Sequence, residues 1–507
     1  MKILIQVSTY SHKTHHFLAK RVKERYPESE FAIIGNDNTK VTDFFKSQND
    51  MQYAHFFEDT SSEKVDVKES VNFDIINNFE KQSGSLVWSI VASDRKVGGA
   101  FLHGAYGYGS KYQNNRLYIL KKIEKRVTEI ENIFSLFRPD IFIPALAMGS
   151  VDVAIYESMC KIYDSQYAIV TLSRVKNYCS FSSNIMLNLD QIDGDTRYLI
   201  DNNSQPSKHA LELYKNLMDE VESPDYFDSI VHKKPKINIF LLFKVIIFRP
   251  FLKLIKSIDS SIKHKKFQNL GSGFIGKIHE GVQYITVFKS SFGTVLPKSQ
   301  KYLLFPLHIN PEYSTLVQGG LLQDQLVIIE LLAKSVPSDW IVYVKEHPAT
   351  IMAKLRPRNF YKKINDIPNV EIAPIDSDVH TIISNSEMVV ILTGTSGWEA
   401  VLRGIPVIAF SDYINVFDAL GLSVKVSDLN KLPELISTEV LRIKLISDKE
   451  RANRVKLFLT AMLDNSFWVT YPKVLFYDAI GTDEEYQVCG IELAEGLIEF
   501  LPSMFAK

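Results

Sequence analysis

One stretch of the chain, residues 341–412, most constrains what the chain can fold into. Three short apolar runs rich in β-branched and aromatic residues predict buried parallel strands at residues 340–344, 388–392 and 407–410. The first run is followed by KEHP and the second by TGTSG, which leads into a helix near Trp398. Ligands of open α/β sheets bind beyond the carboxyl ends of the strands, and a helix N-terminus favours phosphate. The stretch therefore predicts a nucleotide or phosphate site with a histidine beside it.

Length, charge and cysteine use limit the class of protein. With 507 residues, of which 46% are apolar, the chain can form two or three domains with large cores. A formal net charge of −1 provides no overall field for nucleic acid. The three cysteines are far apart and form no metal-binding spacing, which favours a reducing compartment. The N-terminal apolar run is too short for a signal peptide. Since the sequence also offers no run of about 18 uninterrupted apolar residues, a spanning helix is not expected and we expect a cytoplasmic protein.

Alternation of strands and helices predicts the fold class and the domains. Predicted strands at residues 2–7, 30–34, 86–92, 141–144 and 167–172 alternate with helices, and the pattern returns after residue 284. This favours an α/β fold with two Rossmann-like domains that face a cleft. We predict a first domain at 1–231, a basic amphipathic helical insert at 232–283 and a second domain at 284–469. A helical segment at 470–507 could pack back on the first domain.

The insert has an unusual composition. Residues 232–266 contain ten Lys or Arg residues and one acidic residue, Asp259. After Pro250, one predicted helical face is apolar and is formed by Phe251, Leu254, Ile255, Ile258 and Ile262. A basic amphipathic helix is typical of an anionic membrane surface. The alternative is an inter-domain helix whose apolar face is buried against protein.

The polar residues at the two strand ends are candidates for binding a donor phosphate. His347 can act as an acid or stabilise a leaving phosphate, and Pro348 restricts it to extended geometry; alternatively it is a structural histidine. Glu399, in the first turn of the helix, could accept a ribose hydroxyl pair or complement the helix dipole. The predicted donor set comprises Lys345, Glu346, Pro348, Thr393, Gly394, Thr395, Ser396, Gly397 and Glu399.

Other strand ends and a glycine-bearing loop at 304–332 predict the remaining walls of the cleft. Asp94 is a candidate general base for an acceptor hydroxyl, or an ion-pair partner of Arg95. The triplet Asp376-Ser377-Asp378 resembles a metal motif but precedes a predicted helix, so we expect a cap, no essential metal and no cofactor. The cleft or acceptor candidates are His15, Arg95, Arg174, His308, Asn310, Glu312, Gln318, Gly319 and Asp324.

Three segments together resemble a known family. FPLHINPEYSTLVQGGLLQDQ, YVKEHP and TGTSGWEAVLRGIPVIAF are similar to bacterial capsular or surface polysaccharide biosynthesis proteins with the GT-B glycosyltransferase fold. The HP dipeptide is also similar to that of sialyltransferases and Kdo transferases, in which the histidine and hydroxyl residues contact a cytidylate phosphate. The resemblance implies donor-phosphate contacts for His347, Thr395 and Ser396. The paired serines of sialyltransferases are replaced here by TSG.

The resemblance implies a GT-B-like, metal-independent glycosyltransferase of the hexosyl or Kdo/sialyl type. It makes 1–231 the acceptor domain and 284–469 the nucleotide-sugar domain. Its expected partners are a nucleotide-sugar donor, a glycan or lipid-linked acceptor and an anionic membrane surface, with no nucleic acid. We expect a peripheral position at the inner face of the cytoplasmic membrane. The alternatives are a nucleotide-sugar 2-epimerase, a CDP-glycerol-type glycerophosphotransferase and a non-catalytic assembly subunit with the same fold.

Overall fold

A computed structural model describes most of the chain outside the insert. The described residues are 1–36, 39–59, 65–66, 69–95, 97, 115–145, 150–173, 175, 177–222, 300–347, 356, 358–375, 377–411, 413, 417–476 and 480–505. The predicted insert and three single residues of interest lie outside the described residues; these are Arg174, Pro348 and Asp376.

Strands and helices alternate through both halves of the chain. The strands are β1 Lys2–Gln6, β2 Glu30–Asn36, β3 His55–Asp59, β4 Ile141–Ile143, β5 Gln166–Tyr167, β6 Ile169–Leu172, β7 Tyr178–Ser182, β8 Lys301–Pro306, β9 Trp340–Lys345, β10 Val370–Ile372, β11 Met388–Ile391, β12 Val407–Ala409, β13 Ser423–Lys425 and β14 Phe467–Trp468. The α-helices are α1 His12–Arg25, α2 Thr39–Lys46, α3 Phe73–Ser83, α4 Val87–Ala92, α5 Arg116–Phe137, α6 Val151–Ile162, α7 Asp190–Asp201, α8 Lys208–Glu222, α9 Tyr313–Leu316, α10 Gln325–Ala333, α11 Arg358–Asn365, α12 Val379–Ser384, α13 Thr395–Leu402, α14 Leu432–Lys444, α15 Asp448–Asp464, α16 Lys473–Phe476 and α17 Asp483–Phe505.

Two parallel sheets form the centres of the two halves. The first has the order β3-β2-β1-β4-β5 and the second the order β10-β9-β8-β11-β12-β13. The central strands are buried on both faces, as expected of parallel sheets covered by helices. The predicted α/β fold with two Rossmann-like halves is confirmed. Edge strands β3, β10 and β13 are short or partly exposed and were missed in the sequence.

One predicted strand is wrong. Residues 87–92, predicted as part of a strand at 86–92, form helix α4. Val87, Ile90 and Val91 are buried in one core with Tyr156 and Met159 of α6. The apolar run has no clear period, so its spacing fits a short buried helix as well as a strand.

In the described part of the chain, two segments pass from one half to the other. Helices α7 and α8, which lie inside the predicted boundary at 231, share a hydrophobic core with the second sheet and α15. The antiparallel sheet β14-β7-β6 connects the crossing segments. After β14 the chain returns, and α17 packs along α1, with ion pairs Lys13–Asp483 and Arg21–Glu495 at 2.6 Å each. Among the described residues, no helix is long and apolar enough to cross a membrane.

Candidate active site

Three neighbouring strands of the second sheet end at one edge and carry the predicted donor residues. Pro306 at the end of β8 is paired with Lys345 at the end of β9, and β11 lies on the other side of β8. Because the strands are parallel, the loops after them begin side by side. The sheet therefore brings together His308, His347 and Thr393.

His347 lies half-buried just after β9. Its backbone N–H donates to Glu346 Oε1 at 2.7 Å. Burial lowers the pKa of the His347 imidazole; Glu346 opposes this, while Lys345 and Arg356 add to it. A neutral imidazole at pH 7 retains one N–H that can donate a hydrogen bond to a phosphate oxygen. The geometry therefore permits the predicted role of His347.

Glu346 is not open to a ligand, contrary to its place in the predicted donor set. Its side chain is 0% exposed and that of Arg356 is 1% exposed, and Arg356 Nε donates to Glu346 Oε2 at 2.9 Å. The Tyr361 hydroxyl donates to the same oxygen at 2.9 Å. Glu346 is thus the buried anchor of the loop that carries His347. The sequence analysis missed Arg356 because the interaction depends on the tertiary path of the chain.

Lys345 also has a structural position. It is buried, and its ammonium group donates to the carbonyl oxygens of Pro374 and Ile375 at 3.0 and 2.6 Å. These carbonyls belong to the loop between β10 and α12. The predicted phosphate contact of Lys345 is therefore not supported, although its charge still acts on His347.

The TGTSG loop forms the N-terminus of α13. Gly394 is the N-cap and has φ 111°, a left-handed conformation that favours glycine. A Cβ at Gly397 would lie 2.6 Å from Ile391 Cδ1 and 2.7 Å from Phe417 Cζ, so close packing requires glycine there as well. Thr395 is exposed and Ser396 half-buried. Helix geometry gives the first amides of α13 no intrahelical acceptor, which suits them to an anion.

Glu399 faces the interior rather than open solvent. It is 5% exposed, and its Oε2 lies 3.4 Å from Nδ1 of His380 on α12. Arg403 NH1 donates to the Glu399 carbonyl oxygen at 3.1 Å, and Arg403 NH2 lies 3.2 Å from His380 Nδ1. These contacts connect α12 with α13. A ribose contact by Glu399 stays a prediction.

The loop after β8 forms a wall against the first half. Gln318 Nε2 donates to the Met186 carbonyl oxygen at 2.8 Å, and the Tyr313 hydroxyl donates to the Ile185 carbonyl oxygen. Glu312 is the N-cap of α9 and forms a capping box with Thr315. Desolvation raises the pKa of Glu312, and the charge of Arg95 from the first half opposes this.

Three other candidates of this wall are structural. Asn310 is 5% exposed and contacts Thr315. Asp324 caps α10 by accepting from Leu326 N at 3.0 Å. A Cβ at Gly319 would lie 2.4 Å from the Thr315 carbonyl oxygen, so glycine is needed for packing.

In the first half, the candidates are less open than predicted. Asp94 follows α4 rather than a strand, is 5% exposed, and accepts from the amides of Val97 and Val151 at 2.6 and 3.0 Å. Both carboxylate oxygens are hydrogen-bonded to backbone amides, so this geometry does not support the predicted general base. His15 is buried on α1 with Nδ1 2.8 Å from the Ser11 carbonyl oxygen, and burial lowers its pKa to about 4. His15 is therefore a core residue.

The Asp-Ser-Asp triplet acts at least partly as a cap. Asp378 is the N-cap of α12 and accepts from the amide and hydroxyl of Thr381 at 2.8 and 2.7 Å. Burial would raise the pKa of Asp378, but these hydrogen bonds lower it below the usual value. In the part of the chain that the structure describes, no group of His, Cys, Asp or Glu residues could hold a metal ion.

Comparisons with known proteins place this site in context. Residues 263–431 match the model of the family "Capsule polysaccharide biosynthesis protein". A comparison with curated proteins found no match. Among solved structures, the β-Kdo 2,7 transferase KpsC of Thermosulfurimonas dismutans is 12% identical, covers 75% of this chain and 95% of its own, and has a TM-score of 0.30.

Epimerases appear among the similar structures as well. The UDP-GlcNAc 2-epimerase of Neisseria meningitidis, bound to UDP-GlcNAc, is 12% identical, covers 92% of this chain and 100% of its own, and has a TM-score of 0.24. That of Methanocaldococcus jannaschii is 14% identical, with coverages of 91% and 98% and a TM-score of 0.25. The edge of the second sheet that carries His308, His347 and Thr393 lies within the family match. Residues 263–431 thus match the family that the three segments of the sequence resemble.

Proposed function

We propose that this protein is a glycosyltransferase of bacterial capsule or surface polysaccharide assembly. It would transfer a sugar from a nucleotide-sugar donor to a glycan or lipid-linked acceptor. The observation that supports this is that His347 and the glycine-capped N-terminus of α13 follow strands β9 and β11, which flank β8 at one edge of the sheet, inside the family match. This is an anion site with a hydrogen-bond donor beside it.

The chemistry requires stabilisation of the departing nucleotide. Transfer breaks the bond between the anomeric carbon and a phosphate oxygen, so negative charge develops on that oxygen. The N–H of His347 and the first amides of α13 can stabilise this charge. The new bond forms to an acceptor hydroxyl, whose proton passes to a base. With Lys345 and Glu346 committed to structural contacts, His347 and the helix N-terminus carry the donor side.

The donor class can be read from ligand stabilisation. We would measure thermal shifts with CMP, CDP, UDP, GDP and their sugars, because a ligand that binds the native state raises its apparent stability. We expect one nucleotide class to stabilise the wild type and to stabilise His347→Ala less. His209→Ala, at an exposed position of α8, is the matched control and should respond like the wild type.

The outcomes separate the candidate functions. Stabilisation by a nucleotide together with acceptor-dependent release of nucleotide supports a glycosyltransferase of the Kdo/sialyl or hexosyl type, according to the sugar used. Conversion of the nucleotide sugar without an acceptor would identify an epimerase instead. Absence of any nucleotide effect on the wild type would refute the proposed donor site.

Metal independence and membrane contact are parts of the same proposal. The HP resemblance and the capping role of Asp378 support catalysis without a metal, so EDTA should leave turnover largely unchanged. Complete loss with EDTA and recovery with Mg²⁺ would contradict it. The basic residues of 232–266 support a peripheral position on an anionic membrane, but that segment lies outside the described residues.

A further inference from the structure

His308 connects the loops that follow three neighbouring strands. Its backbone N–H donates to Gln325 Oε1 at 2.8 Å, and Gln325 Nε2 donates back to the His308 carbonyl oxygen at 3.0 Å. Arg356, the partner of Glu346, donates to the same carbonyl at 2.8 Å. Gln325 and Arg356 are both buried. The backbone of His308 is therefore held from α10 on one side and from the His347 loop on the other.

The imidazole of His308 reaches across to the turn before α13. Thr393 N–H donates to Nε2 at 3.1 Å, and Nε2 also contacts the Thr393 carbonyl oxygen. A Cβ at Gly394 would lie 3.2 Å from Nε2. The ring thus packs against the backbone of the Thr393–Gly394 turn, where the chain enters the helix.

The charges around this ring keep it neutral. Burial lowers the pKa of His308 to about 3, and the positive charge of Arg356 acts in the same direction, as does His347 whenever it is protonated. In a neutral imidazole Nε2 is either a donor or an acceptor, so according to the tautomer it donates to the Thr393 carbonyl oxygen or accepts from the Thr393 N–H. The ring therefore fixes the turn without adding charge to the anion site.

We propose that His308 is a positioning residue for the donor, which holds the Thr393–Gly394 turn so that the first amides of α13 face the leaving phosphate. It touches no substrate in this role. The inference rests on the proposed function, and it assigns His308 to the donor side rather than to the acceptor wall. The consequence is that donor affinity and turnover depend on a residue that acts only through the backbone of Thr393.

The test compares two substitutions at one position. His308→Gln keeps a donor and an acceptor near the place of Nε2, whereas His308→Leu keeps neither and leaves the Thr393 backbone unsatisfied. His16→Gln is the matched control, because His16 is also a buried histidine whose ring is hydrogen-bonded, with Nδ1 2.9 Å from the Tyr53 hydroxyl. The measurements are thermal unfolding, affinity for CMP and UDP by calorimetry, and kcat and KM for donor and acceptor separately.

We expect His308→Leu to bind its nucleotide roughly tenfold more weakly, from the loss of a buried hydrogen-bond partner. His308→Gln should recover most of that affinity, and KM for the acceptor should stay unchanged in both variants. Equal affinity in the wild type and His308→Leu, or equal losses in both variants, would overturn the role of His308 while leaving the donor site intact. A wild type that binds neither nucleotide would instead overturn the proposed function and this inference with it.

A measurement on the wild type keeps the inference falsifiable if the leucine variant does not fold. The ring ¹⁵N shifts of His308 should report a neutral imidazole across the working pH range. A ring that becomes charged near pH 6.5, the ordinary pKa of histidine, would overturn the positioning role.

Discussion

Replacing Arg356 by Met should destabilise the protein strongly, because it leaves Glu346 as a buried charge without its cation. Removing one partner of a buried ion pair costs about 3–5 kcal/mol. Glu346 would keep two hydrogen bonds, from the Tyr361 hydroxyl at 2.9 Å and the His347 amide at 2.7 Å. Bonds to a charged group contribute about 1.5–3 kcal/mol each, so we expect the lower end, about 3 kcal/mol.

The assay is equilibrium unfolding in urea, followed by circular dichroism and by tryptophan fluorescence, to which Trp398, buried in the second half, contributes. Arg442→Met is the control, because the Arg442–Glu439 pair is an exposed i,i+3 pair and should contribute at most about 1 kcal/mol. The double variant Arg356→Met with Glu346→Gln should recover about 2 kcal/mol, because no charge remains buried. A loss below about 1 kcal/mol for Arg356→Met, or no recovery in the double variant, would refute the reasoning.

Four further predictions concern the turnover of a His347 variant, the pH dependence of nucleotide binding, a packing contact and the insert. His347→Ala should lower turnover about 100–1000-fold with the fold intact, because it removes a donor to a developing charge; near-normal turnover would contradict this. In the wild type, bound phosphate should raise the low pKa of His347, because it favours the charged imidazole. Nucleotide affinity, measured by calorimetry, should therefore be highest below the pKa that His347 has in the free protein. It should fall as the pH rises through the pKa that His347 has in the complex. Gly397→Ala should cost about 1–3 kcal/mol in urea unfolding through overpacking against Phe417, whereas Gly194→Ala, in α7 with open space around it, should stabilise by up to about 1 kcal/mol. The insert at 232–266 should bind anionic vesicles in low salt, with each basic residue adding about 1 kcal/mol to the binding free energy. A sedimentation assay should show release from the vesicles after charge reversal at Lys253, Lys256, Lys263 and Lys265. If the parent protein does not bind the vesicles, a packed structural helix is favoured.

The parallel strands and the position of the site could be predicted because the signals are local. β9, β11 and β12 are apolar runs rich in β-branched residues, a local pattern that predicts buried strands. Parallel strands place their carboxyl ends at one edge of the sheet, so the topology places His347 and the TGTSG loop at the same edge, on either side of the loop after β8.

The roles of the charged neighbours could not be predicted because they depend on distant parts of the chain. Lys345 donates hydrogen bonds to the carbonyl oxygens of Pro374 and Ile375, which are 29 and 30 positions away in the sequence. Glu346 is paired with Arg356 across a loop whose path the sequence does not show. The side chains beside His347 look alike in a sequence whether they bind a ligand or hold the loop. Only the tertiary contacts separate these two cases.

The return of α17 to the first half has a consequence for how the protein is made. Tyr486, Cys489, Leu493 and Leu497 of α17 belong to the same core as Leu18 and Val22 of α1. During synthesis the face of α1 is made early, and its covering helix leaves the ribosome only after the whole second half. We therefore expect nascent chains shorter than about residue 483 to expose this apolar face and to need chaperones, since domains otherwise fold as units in order of synthesis. The two halves are in this sense a single unit of biogenesis, although each has its own sheet.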